Sequence, residues 1–80
     1  MLFRSLVVMG ASPHNLLTPR EQEILEWMAS TATYREIARQ LSISDETVRS
    51  HAKHILSKLG QSSRAGAVQE AARLGLIRRS

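Results

Sequence analysis

Apolar residues recur at helical spacing in four stretches of the chain, between about residue 18 and residue 74. In the second stretch, Tyr34, Ile37, Ala38 and Leu41 fall on one face of a helix. In the third stretch an apolar arc lies opposite an arc without any apolar residue. The buried arc consists of Val48, Ala52, Ile55, Leu56 and Leu59, and the polar arc of Arg49, Ser50, Lys53, His54 and Ser57. The pattern predicts an all-α fold, a four-helix domain.

The first two helices have clear start signals. Thr18 is placed to cap the first helix, with Pro19 at the first helical position and Glu21 at the third, which completes a capping box. Thr33 and Glu36 repeat the Thr-x-x-Glu spacing before the second helix. We expect the first helix to end at about residue 29, with its single tryptophan at the edge of the core.

A four-residue turn separates the second helix from the third. Ser44 is a good N-cap because its hydroxyl can accept from the backbone N–H of Thr47, and Ile43 should point inward between the helices. Ala38 is small enough for the helices to cross closely. Most polar helix faces are simply solvated. The small crossing residue, the capped turn and the positive charge of the third helix instead favour a helix-turn-helix, whose second helix enters the major groove of DNA.

The fourth helix is predicted over residues 64–74, capped by Ser62 or Ser63, with glycines ending the third and fourth helices. Its small apolar residues cover nearly half of its circumference, more than packing on one core requires. Two explanations remain open. One is a homodimer interface formed by Val68, Ala71 and Ala72; the other is that alanine is present because it is the best helix former.

Composition supports a small basic domain without disulfides. The 80 residues include no cysteine and 11 Lys and Arg against 7 Asp and Glu, with a net charge of +4. Residues 17–32 carry a net −2 and residues 33–80 a net +5, so the excess lies in the predicted helix-turn-helix and beyond. A basic domain suggests a polyanionic partner. The narrow apolar stripes and three aromatic residues argue against a membrane-surface helix; we expect no membrane association and a cytoplasmic location.

The first fifteen residues are interpreted as an N-terminal arm or linker of unknown role, followed by the domain at 16–80. Their apolar run, residues 6–9, is too short to span a membrane. It could be a remnant of a preceding domain, an arm that packs on the core, or a disordered start. A secretion signal is not expected.

The order of residues from 17 to 77 resembles the C-terminal DNA-binding domain of the LuxR (NarL/FixJ-type) transcriptional regulators. The matching residues are Leu17-Thr18-Pro19-Arg20-Glu21, Glu23-Ile24-Leu25, Glu36-Ile37-Ala38, Leu41, Ile43-Ser44, Thr47-Val48-Arg49, His51, Ile55, Lys58-Leu59-Gly60, Ser63-Arg64 and Ala67-Val68. The resemblance implies sequence-specific binding to bacterial promoter DNA and dimerisation through the fourth helix. RNA polymerase is a further candidate partner, and no cofactor is expected.

The resemblance implies that Arg49, Ser50 and Lys53 read base edges, where Arg or Lys can donate to guanine. The predicted phosphate contacts are Thr33, Arg35, Ser44, Thr47, His54, Lys58 and Arg64. The sequence departs from the family pattern at two positions. Thr31 replaces the usual Gly, which predicts a reshaped loop, and Tyr34 replaces the usual Asn, which predicts a changed backbone contact.

Enzymatic function is not expected. His51 and His54 lack an orienting acid, a third metal ligand or a glycine-rich phosphate loop. The alternative function is a helical protein-interaction module, or a promoter-contacting domain similar to that of a sigma factor.

Overall fold

The protein is described here by a computed structural model that covers residues 16–78. Four helices follow one another in this range: α1 (Pro19–Met28), α2 (Tyr34–Leu41), α3 (Asp45–Lys58) and α4 (Arg64–Arg73). There is no strand among the described residues, and the predicted all-α, four-helix class is confirmed. The predicted N-terminal arm lies outside the described residues. Between residues 16 and 78, no helix is both long and apolar enough to cross a bilayer.

Both predicted capping boxes are present. The Thr18 hydroxyl accepts from the backbone N–H of Glu21 at 3.1 Å, and the Glu21 carboxylate accepts from the backbone N–H of Thr18 at 3.0 Å. Thr33 and Glu36 make the same reciprocal pair at 3.1 and 2.8 Å. Each box satisfies two backbone groups that a helix start would otherwise leave without a partner. The starts of α1 and α2 are therefore fixed by short-range sequence.

The other helix boundaries follow the predicted chemistry closely. Ser44 accepts from Thr47 N–H at 3.1 Å, and Ser63, one of the two candidates, caps α4 by accepting from Gly66 N–H at 3.0 Å. Gly60 and Gly75 follow the ends of α3 and α4 with φ of 67° and 79°, a region that suits glycine. α4 ends at Arg73, one residue before the predicted end.

The helices of the helix-turn-helix meet in a small buried cluster of Ile37, Ala38 and Val48. Ala38 is 2% exposed at the crossing, as its size predicts. In the turn, Ile43 is half-buried against this cluster, and its N–H donates to the Ala38 carbonyl at 2.9 Å. Ser42 precedes it in the left-handed conformation, with φ of 58°, which was not predicted. This turn sets the angle at which α3 leaves α2.

A larger core joins α1, α3 and α4. Its buried members are Leu17, Ile24, Leu25, Met28, Ala52, Ile55, Leu59, Ala67, Ala71 and Leu76. α3 contributes to both clusters, because Val48 lies in the smaller one while Ala52 and Ile55 lie in the larger. Full burial of a residue such as Ile55 contributes about 1.5–3 kcal/mol. α3 is therefore held along its whole length, which fixes the direction of its opposite face.

Candidate nucleic-acid interface

The outward face of α3 carries the three residues predicted to read bases. Arg49, Ser50 and Lys53 are all exposed, as is His54. Val48 and Ala52, which alternate with them along the helix, are 0% and 3% exposed. The four ion pairs found within residues 16–78 do not include Arg49 or Lys53. The face therefore presents two positive charges to solvent on a rigid helix.

The two histidines of α3 have different environments. His51 is half-buried, between the core and the exposed face, whereas His54 is exposed. No group of three or more His, Asp or Glu side chains within the described residues could hold a metal ion.

Two hydroxyls lie at the start of α3. The Ser44 and Thr47 oxygens are 2.8 Å apart, so one donates to the other, and Ser44 also accepts from the Thr47 N–H. One hydroxyl proton of the pair consequently remains available for an external acceptor. The positive end of the helix dipole adds to the attraction for an anion there.

The start of α2 contributes a further hydroxyl and a guanidinium. Thr33 is exposed, and its hydroxyl oxygen accepts from Glu36 N–H, which leaves its proton free to donate. Arg35 lies 3.9 Å from the Asp45 carboxylate, with 79% of the arginine side chain exposed. A solvated pair at this distance is weak. The guanidinium can therefore leave Asp45 for a stronger anion.

Lys58 forms an ion pair with a buried carboxylate. Its ammonium donates to Glu21 Oε1 at 2.7 Å, and the Glu21 side chain is only 7% exposed. Burial alone would raise the pKa of Glu21, but the hydrogen bonds from Lys58 and Thr18 outweigh burial and lower it. The predicted phosphate contact of Lys58 stays a prediction, and the ammonium would have to serve a phosphate while it also stabilises a buried carboxylate.

Arg64 is also bound within the domain. Its guanidinium donates to the carbonyl oxygens of Met28 at 3.1 Å and Ala32 at 2.6 Å, with further bonds to Trp27 and Ser30. The group caps the carboxyl end of α1, where carbonyls lack helical partners. Its predicted phosphate contact likewise stays a prediction, although the donors of Nε and Nη2 are engaged by backbone oxygens.

The two departures from the family pattern have local explanations. Within residues 16–78, Ser42 is the single non-glycine residue with positive φ, so Thr31 needs no left-handed conformation. The loop is instead held by Ser30, whose hydroxyl donates to the Trp27 carbonyl and accepts from Ala32 N–H at 3.1 Å. The ring of Tyr34 is half-buried, with the Arg64 guanidinium carbon 5.1 Å from its centroid.

The surface of α4 differs from the predicted interface at one position. Val68 and Ala72 are half-buried, but Ala71 is 0% exposed and packs in the core. The prediction that Ala71 lies in a dimer interface is wrong, because its side chain already contacts its own domain. Val68 and Ala72 retain exposed apolar surface.

Comparison with known proteins identifies the family. The sequence model of one family, described as "Bacterial regulatory proteins, luxR family", matches residues 15–71. The chain is 45% identical over 60 residues to the spore germination protein GerE of Bacillus subtilis, covering 75% of this chain and 81% of that protein. It is 45% identical over 68 residues to the transcriptional regulatory protein LiaR of the same organism, covering 85% of this chain.

The match to longer relatives is confined to part of their length. The chain spans 32% of LiaR and 26% of RpaR, a quorum sensing-dependent transcriptional regulator of Rhodopseudomonas palustris that is 47% identical over 64 residues.

The fold has a solved counterpart. A structure of the transcription factor GerE superposes with a TM-score of 0.72 at 43% identity, covering 76% of this chain and 91% of that one. The resemblance inferred from sequence is thus confirmed, as is the expectation of a regulatory rather than an enzymatic protein. The chain belongs to the luxR family of bacterial regulatory proteins and carries its helix-turn-helix DNA-binding domain.

Proposed function

We propose that this domain binds double-stranded promoter DNA sequence-specifically, with α3 in the major groove. Arg49, Ser50 and Lys53 read base edges. The observation that carries the proposal is the exposure of these three side chains on a helix whose opposite face is fully buried. A guanidinium or ammonium there can donate to guanine O6 and N7, while a serine hydroxyl tolerates several bases.

The proposed phosphate contacts surround this face. They are the side chains of Thr33, Arg35, Ser44, Thr47 and His54. Thr33 and Arg35 belong to the start of α2, and Ser44 and Thr47 to the start of α3. Hydroxyls and helix starts are common partners of phosphate oxygens. Lys58 and Arg64 are excluded from the proposal because of their internal bonds.

We further propose that the protein acts as a homodimer through the exposed part of α4, Val68 and Ala72. Both residues keep apolar surface next to the buried line of Ala67 and Ala71. Two copies would read half-sites about 10 bp apart. RNA polymerase remains a proposed further partner, and the cytoplasm the proposed location.

The test is selection of bound duplexes from a random pool at two ionic strengths, followed by affinity measurements on the selected site. Arg35 is the arginine among the proposed phosphate contacts, and its contact should contribute roughly 0.9 per protomer to the slope of log affinity against log salt. Arg49→Ala or Lys53→Ala should weaken the binding free energy by about 1–3 kcal/mol and reduce the discrimination among bases at one position of the site. A matched control is Arg20→Gln, which removes an exposed charge from α1.

The outcomes separate this function from a protein-interaction module. If no duplex is enriched, or if affinity is insensitive to salt, the proposal fails. If Arg49→Ala weakens binding to all DNA sequences equally, Arg49 contacts the DNA phosphate backbone and does not read a base.

A further inference from the structure

The start of α2 is held by a side chain from the other end of the domain. Arg64, the first residue of α4, reaches back to carbonyl oxygens 32 to 37 residues earlier in the chain. Its shortest bond, 2.6 Å, is to the Ala32 carbonyl, directly before the N-cap Thr33. The ring of Tyr34, directly after Thr33, lies beside the same guanidinium at 5.1 Å.

We infer that Arg64 and Tyr34 form a clamp that positions Thr33 and Arg35 for their phosphate contacts. The inference rests on the proposed function, since it assigns a role to residues that support the proposed DNA contacts. Neither clamp residue needs to touch DNA. Arg64 binds the backbone carbonyl just before Thr33, and the ring just after Thr33 lies beside the same guanidinium, so the pair holds the backbone that carries Thr33 and Arg35.

The clamp adds polar contacts at helix ends to elements that the apolar core also joins. The guanidinium binds the last turn of α1 through Met28 and Trp27, and the following loop through Ser30 and Ala32. Each of these carbonyls belongs to a helix end or a loop, where the backbone is least constrained by helical bonds. A single planar group with several donors therefore ties α1, the loop and α2 to α4.

The geometry requires arginine at position 64. Its guanidinium spreads donors in a rigid fork and presents a flat face to an aromatic ring, whereas a lysine ammonium is a point charge on a flexible stem. Lysine could keep the charge and one carbonyl bond, but not the fork and the ring contact together. Arg64→Lys thus separates positioning from charge.

The experiment measures affinity for the selected duplex across a salt series with the full chain. The variants are Arg64→Lys, Tyr34→Leu and Tyr34→Phe, with Arg20→Gln as the charge control and circular dichroism to establish that each is folded at the assay temperature. We expect Arg64→Lys and Tyr34→Leu to bind the duplex about tenfold more weakly, because a displaced start of α2 would lose one hydrogen bond to a charged phosphate. The salt slope should fall by about 0.9, as for one lost phosphate contact. Tyr34→Phe keeps the ring and should retain both values.

Other results would overturn the clamp. If Arg64 contacts phosphate directly, Arg64→Lys preserves the slope and Tyr34→Leu has no effect. If the pair serves stability alone, the melting temperature falls while affinity and slope of the folded protein stay unchanged.

Should Arg64→Lys fail to fold, Tyr34→Leu decides the matter, because it leaves all the carbonyl bonds in place. If the wild type binds no duplex, the proposed function itself fails; a binding wild type with unchanged variants removes only the clamp.

Discussion

The ion pair between Glu21 and Lys58 joins the start of α1 to the end of α3. The ammonium lies 2.7 Å from Glu21 Oε1, and the side chains are 7% and 36% exposed for Glu21 and Lys58. Replacing Glu21 by Gln removes the charge but keeps an amide oxygen that can accept from Thr18 N–H, since Gln also completes a capping box. Glu21→Gln therefore isolates the contribution of the ion pair.

The expected loss lies between the values for buried and for exposed pairs. Breaking a buried pair costs about 3–5 kcal/mol, and an exposed pair contributes about 0–1 kcal/mol. Here the carboxylate is buried but the lysine, about one-third exposed, can move into solvent when its partner loses charge. We expect Glu21→Gln to lower the free energy of unfolding by about 1–2 kcal/mol at pH 7. In a domain of this size, Tm then falls by roughly 4–16 °C.

The dependence on pH provides a second signature. Burial tends to raise the pKa of Glu21, but the bonds from Lys58 and Thr18 lower it overall below its ordinary value of 4.5. A depressed folded-state pKa adds stability that is fully present above the unfolded-state pKa and is lost as pH falls through the folded-state value. The difference between wild type and Glu21→Gln should consequently shrink as pH falls below about 4.5.

Urea unfolding followed by far-ultraviolet circular dichroism from pH 3 to pH 8 measures both effects. Glu23→Gln is the control, because Glu23 pairs with Arg20 on the surface at 3.3 Å with about half of its side chain exposed. That variant should change stability by less than about 0.5 kcal/mol. Equal midpoints for wild type and Glu21→Gln at pH 7, or a difference that persists undiminished at pH 3, would refute the reasoning.

Four further substitutions test other parts of the structure. Ala71→Glu places a charge in the core and should lower the free energy of unfolding by more than about 3 kcal/mol or unfold the domain, which circular dichroism would show. Ala72→Glu should leave the domain folded and weaken self-association, which sedimentation velocity would show. Ser44→Ala removes the acceptor for Thr47 N–H and should lower stability by about 1 kcal/mol in urea unfolding. In Gly75→Ala the added Cβ would meet no atom within 4 Å, but the backbone at position 75 is left-handed, with φ of 79°. The strain should lower the free energy of unfolding by about 1–2 kcal/mol, which a lower Tm would show.

The helix starts could be predicted from sequence because their determinants are local. Thr18 and Glu21, like Thr33 and Glu36, lie three residues apart, so one capping box is read from four consecutive residues. The buried face of α3 was predictable for a similar reason, since helical periodicity alone places Val48, Ala52 and Ile55 on one side. These features needed no knowledge of the distant chain.

The partners of Lys58 and Arg64 could not be predicted in the same way. Lys58 binds a residue 37 positions away, and Arg64 binds backbone oxygens, which have no sequence signature. Periodicity identifies a cation near a buried stripe but not what it meets there. A buried capping-box carboxylate such as Glu21 was the available hint, because a carboxylate at a helix start that packs inward requires a cation or further donors.

The error at Ala71 has a different physical origin. Ala65, Ala67, Val68, Ala71 and Ala72 form an arc in which the small side chains differ little in the area they could bury. The structure buries Ala67 and Ala71, four residues apart, and leaves Val68 and Ala72 one position further round the helix. Which pair faces the core depends on the rotation of α4, and the rotation is set by contacts such as the Arg64 bonds that the sequence does not reveal.

The use of cations inside the domain changes how its net charge relates to DNA binding. Lys58 neutralises Glu21, Arg64 binds carbonyls, and Arg73 pairs with Glu70 at 2.5 Å. The contacts of Lys58 and Arg64 join α1 to α3 and to α4, whereas the Arg73 pair lies on the surface within α4. Arg49 and Lys53 belong to no ion pair within the described residues and project from the helix that those internal bonds orient. Under the proposed function, Lys58 and Arg64 therefore contribute to binding mainly through geometry, because they fix the helix from which Arg49 and Lys53 project.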